Sequence, residues 1–130
     1  MVEDPELFAR LGLRPLVTTY PVLRVALRWP SKDVEIAVEM TAPDWDYRPA
    51  RVDWVTLGGE PWPIADVPST NGFQGGAHPG MGRPWFCFPG ALEYHEWESH
   101  SVDGWWPRRL DASARLVGFV QHVAAVLGKM

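Results

Sequence analysis

A single cysteine in 130 residues rules out an internal disulfide framework and fits a reducing compartment. Basic residues form no run, and the formal net charge is −4, so the electrostatic footprint of a nucleic-acid binder is missing. No apolar stretch approaches the roughly 20 residues needed to cross a membrane. The opening Met1-Val2-Glu3-Asp4-Pro5 is acidic and lacks the basic-then-apolar order of a secretory leader. Internal repeats are absent too. The length predicts one domain over residues 1–130, and these absences together predict a cytoplasmic protein whose partners are neither nucleic acid nor membrane.

What the chain has in excess is tryptophan, eight of them, and proline, thirteen. With 46% apolar residues this predicts long but ordered loops packed by aromatic rings, since disordered segments are poor in aromatics. The densest such stretch is Gly75 to Gly90, with five glycines, three prolines, His78 and Cys87. It cannot be a regular helix, and it delivers the short apolar piece Trp85-Phe86-Cys87-Phe88 to a fixed place.

Asp4 before Pro5 marks a helix start, Leu7, Phe8 and Leu11 share one face, and Gly12 is placed to end the helix. From residue 17 to 29 the period changes. Leu23, Val25, Leu27 and Trp29 alternate with Arg24, Ala26 and Arg28, which predicts a strand with one buried face. After the turn Pro30-Ser31-Lys32-Asp33, residues 34–41 repeat the pattern with glutamates outward, so the two strands can pair arginine with glutamate across a hairpin. A third strand is predicted over 51–57. A proline- and glycine-rich flap fills 59–84, and structureless loops of that length in compact domains are usually functional. A polar, aromatic loop covers 94–107. Asp111 is placed to cap a helix over 111–127 with Ala112, Leu116, Phe119, Val120, Val123 and Leu127 on one stripe, stopped at Gly128.

In this order the pieces resemble the ubiquitin-conjugating enzyme family, and the chain is similar to its divergent bacterial members. Tyr47-Arg48-Pro49-Ala50-Arg51-Val52-Asp53-Trp54 stands where the family has Tyr-Pro, a double proline and its third strand. His78-Pro79-Gly80 stands where a His-Pro-Asn motif precedes the active cysteine, and Trp105-Trp106-Pro107 where Trp-x-Pro precedes a helix. The resemblance implies an α+β, UBC-like fold: an N-terminal helix, an antiparallel meander sheet, a long flap carrying the active-site Cys87, and a C-terminal helix packed on the sheet. It further implies an activating-enzyme-like partner, a ubiquitin-like modifier and, in the bacterial setting, a JAB-type peptidase. The family asparagine is replaced by Gly80, and Asn71 is the only asparagine in the chain.

The expected chemistry is thioester exchange at Cys87, which needs one reachable thiolate and no cofactor. Discharge to an amine needs a proton acceptor and an oxyanion donor, and the candidates are a flap amide, His95 and His100, with Asp103 or Glu93 orienting the amine. His78 is expected to be mainly architectural. Cys87, His95 and His100 match no standard zinc spacing, so no metal is expected. Two other readings stand beside this one. The chain can be a non-catalytic scaffold of the same fold with Cys87 merely packed, or a metal-dependent hydrolase using Cys87, His95 and His100.

Overall fold

The computed structural model describes residues 5–69, 73–75, 84–95, 104–111 and 115–129. Helix α1 (Pro5–Arg10) begins at the proline, as expected. Its end is closed by the Gly12 N–H to the Ala9 carbonyl (3.1 Å) and the Leu13 N–H to the Phe8 carbonyl (2.9 Å). Gly12 takes φ 71, a left-handed conformation that favours glycine at this position. Phe8 is fully buried and Leu11 packs at the core margin, whereas the Leu7 side chain lies outside the described part.

The protein is α+β, with a four-stranded antiparallel sheet in chain order: β1 (Arg14–Val17), β2 (Val22–Trp29), β3 (Val34–Thr41) and β4 (Arg51–Val55). The strand expected over 17–29 begins only at Val22, and β1 lies ahead of the expected range. Pro21 has no N–H for a ladder, and the Val22 N–H bonds the Thr19 carbonyl (2.9 Å), which turns the chain. Strand β4 also stops before the expected residue 57. The Gly59 N–H closes on the Thr56 carbonyl (2.9 Å), with Gly59 at φ 94.

Register explains the two faces. Leu23 lies opposite Met40, Val25 opposite Val38 and Leu27 opposite Ile36, while Val52 and Trp54 extend the same apolar face from β4. All of them are buried. On the other face Arg24 bonds its partner Glu39 at 2.7 Å, as the alternation predicted. Arg28 lies opposite Glu35 but turns to Asp33, and Glu35 takes Arg14 instead.

Helix α4 (Leu116–Gly128) lies on the apolar face against β2, burying Leu116, Phe119, Val120, Val123 and Leu127. The stripe was correctly read, but the start was not. Arg115 is the N-cap, in an extended conformation, and Asp111 instead pairs with Arg108 at 3.1 Å. Ala112 lies outside the described residues. The flap contributes β5 (Phe73–Gln74) and β6 (Trp85–Phe86), an antiparallel ribbon. Two short helices follow, α2 (Leu92–His95) and α3 (Trp105–Arg108).

Unpaired strand edges invite association, and the β4 edge is covered along its length. The Ala50 carbonyl accepts from the Leu92 N–H (2.8 Å). The Val52 N–H donates to Glu93 Oε1 (3.3 Å), and the Trp54 carbonyl accepts from the Trp62 N–H (3.1 Å). Segments before and after the β5–β6 ribbon are thus tied to one strand.

Candidate functional site

An aromatic cluster fixes the region around Cys87. Phe86 lies 4.7 Å from Trp54 and 5.6 Å from Phe73 between ring centroids, and Phe88 lies 5.4 Å from Phe73. Phe119 of α4 closes the cluster from below, 6.1 Å from Phe86. Such pairs contribute about 0.5–1.5 kcal/mol each beyond area burial. Trp85, Phe86 and Phe88 are all buried, and Cys87 packs against the margin of the same core. Cys87 is accordingly half-buried, neither sealed nor open.

Burial pushes the Cys87 thiol pKa up, because a thiolate there loses hydration. At neutral pH the group rests as a thiol, and a reaction through it needs the thiolate to be generated as the partner arrives.

The chain after the cysteine forms a tight turn, with the Ala91 N–H on the Phe88 carbonyl (3.3 Å) and Gly90 at φ 109. His95 Nε2 accepts the Gly90 N–H at 3.0 Å. Its ring meets Tyr94 and Trp105 edge to face, at 5.0 and 5.5 Å. Glu93, considered in the sequence as a partner for an incoming amine, is instead 0% exposed and holds the Val52 N–H. That fixes it as a structural acid beneath the site.

Trp105 and Trp106, the tryptophans of the Trp-x-Pro counterpart, wall an open depression of about 610 Å³ lined also by Tyr47, Arg48, Pro49, Leu92 and His95; Cys87 is not in its lining. Tyr47 and Trp106 stand out from it, 74% and 58% exposed, with their rings edge to face at 6.1 Å. Its outer wall is held by Asp46. The Asp46 carbonyl accepts the Trp105 Nε1–H (2.9 Å), and the Asp46 carboxylate accepts from Arg115 (3.0 Å). The hydrogen bond from Arg115 holds the Asp46 carboxyl below the usual carboxylate range. This clamp joins the β3–β4 loop to the start of α4. It was missed in the sequence because its partners are 69 residues apart.

His78, His100 and Asp103 lie outside the described residues, as does Asn71. Of the expected site residues, Cys87 and His95 are described, on the two sides of the Phe88–Ala91 turn. Among the described residues no group of three His, Cys, Asp or Glu side chains is arranged to hold a metal. No helix among them is long and apolar enough to cross a membrane. The chain matches no protein-family model, and no curated protein matches it significantly.

Proposed function

We propose that this chain is a divergent, UBC-like conjugating enzyme that carries a ubiquitin-like modifier as a thioester on Cys87. The observation that carries the reading is the position of the sole cysteine. Cys87 is half-buried just after a ribbon packed on an antiparallel meander, after an N-terminal helix and before a helix laid on the sheet. In the reaction, Cys87 Sγ attacks the thioester carbonyl of the loaded activating enzyme. A new C–S bond forms, the old one breaks, and the activating enzyme's thiolate leaves. An amine then attacks the Cys87 thioester, loses a proton to a base, and expels the Cys87 thiolate. With His95 Nε2 engaged by Gly90, the oxyanion donor in this reading is a flap amide or His100, with Asp103 orienting the amine.

The second reading, a scaffold of the same fold, is favoured by the upward shift of the thiol. One reconstitution separates them. With an activating enzyme, ATP and the modifier, the protein is expected to gain a modifier-sized adduct that reducing agent removes. Cys87→Ala should abolish it, and Cys87→Ser should give either no adduct or one stable to reducing agent. Absence of any adduct on the wild-type chain, with the activating enzyme itself loaded, favours the scaffold.

A further inference from the structure

Gly90 is buried, has φ 109 and lies in a turn outside every strand and helix, so no regular ladder takes its N–H. A buried backbone donor must find an acceptor, and here the acceptor is a titratable side chain, His95 Nε2 at 3.0 Å. An N–H only donates, so Nε2 must carry no proton, and the neutral imidazole must hold its proton on Nδ1. Imidazolium has donors at both nitrogens and cannot make this bond. The described groups around the ring are Tyr94 on its own helix, Trp105 against its face, and Tyr47 and Arg48 across the depression. The described carboxylate on the same helix, Glu93, is engaged by the Val52 N–H.

The turn so held is the one that leaves Cys87. It is anchored at one end by Phe88 in the aromatic cluster and at the other by the Leu92 N–H on Ala50. Between these anchors Gly90 depends on His95.

We infer that His95 is a positioning residue: as the neutral Nδ1–H tautomer it holds the Phe88–Ala91 turn beside Cys87, and on protonation it releases that turn. The inference goes beyond the conjugation reading and does not depend on it, because it concerns the free protein. It replaces the direct catalytic role considered for His95.

The test uses ¹⁵N-labelled full chain. Imidazole ¹⁵N shifts at pH 8 are expected to identify His95 as the Nδ1–H tautomer. Between pH 8 and pH 5, which spans the ordinary imidazole titration, the Gly90 amide protection factor is expected to fall by roughly fivefold, the scale of one lost hydrogen bond. In His95→Gln the amide oxygen replaces Nε2 as a non-titrating acceptor, so protection should be kept and its pH dependence lost. Iodoacetamide alkylation of Cys87, taken as the ratio of wild type to His95→Gln, should then be about 1 at pH 8 and rise several-fold at pH 5. An Nε2–H tautomer at pH 8 overturns the inference. So does a Gly90 protection factor that ignores pH in the wild type or keeps its pH dependence in His95→Gln. Should His95→Gln fail to fold, the wild-type tautomer and protection measurements decide alone.

Discussion

Replacing Glu93 by alanine removes the acceptor that the Val52 N–H uses on the β4 edge. The site is fully buried, so water does not take over. A buried donor left without a partner costs about 1–3 kcal/mol, and the lost methylene adds about 0.8 kcal/mol of transfer free energy. We therefore expect Glu93→Ala to lower stability by about 2–4 kcal/mol, a large share of the 5–15 kcal/mol typical of a domain. With a urea m-value of about 1–3 kcal/mol/M, the midpoint should drop by roughly 1–2 M. Glu93→Gln keeps a carbonyl oxygen in reach of Val52 and should cost about 1 kcal/mol. The assay is equilibrium urea unfolding followed by tryptophan fluorescence, with amide exchange at Val52 as the local readout. A Glu93→Ala protein within about 0.5 kcal/mol of wild type would refute the structural assignment, and a selective loss of discharge to amines in that stable variant would restore Glu93 to the chemistry.

Two pH experiments follow from the other assigned groups. Burial raises the Cys87 pKa, so the pH profile of iodoacetamide alkylation should inflect above the ordinary thiol value; an inflection below it would point to an activated thiolate. The Asp46 pKa is depressed by Arg115, so its contribution to stability is present above the ordinary carboxylate value and lost as pH falls through the lower folded value. Asp46→Asn should thus be less stable than wild type at neutral pH and equal to it in strong acid. A stability gap that persists there would mean the carboxylate charge is not the cause.

The parts of the fold that were legible in the sequence are those set by local periodicity. The alternation of residues 23–29 and 34–40 gave β2, β3, their buried face and the Arg24–Glu39 pair. The stripe from Leu116 to Leu127 gave the face of α4. Misread boundaries came from single residues that overrule a pattern. Pro21 ends the turn that delays β2 to Val22, and Asp111, a good capping residue, places its carboxylate on Arg108. At the site, the prominence of Cys87 was legible from its glycine and aromatic setting, but its raised pKa was not, because burial is a tertiary property. Glu93 read as a partner for an incoming amine, and only the position of Val52 across the sheet edge makes it structural. The Tyr47–Trp106 depression and the Asp46–Arg115 clamp join segments about sixty residues apart or more, where no spacing rule reaches.

The covering of the β4 edge has a consequence for how this chain can vary. The bonds from Trp62 and from Leu92 end on carbonyls four residues apart on β4, a span of roughly 13 Å at the rise of a strand. Cys87 therefore belongs to a segment tied to the sheet at a fixed point on each side, at Trp62 before it and at Leu92 after it. Extra residues added at an exposed position between these ties need not shift β1 to β4, because doubling a loop's length adds only about 0.6 kcal/mol of closure entropy. The sheet and α4 act as a chassis, and the segment that carries Cys87 as a cassette held on it by Phe73, Phe86 and Phe88. Chimeras that swap residues between Trp62 and Leu92 should inherit the reactivity of the insert while keeping the fold of the host, provided the aromatic positions of Phe73, Phe86 and Phe88 are retained.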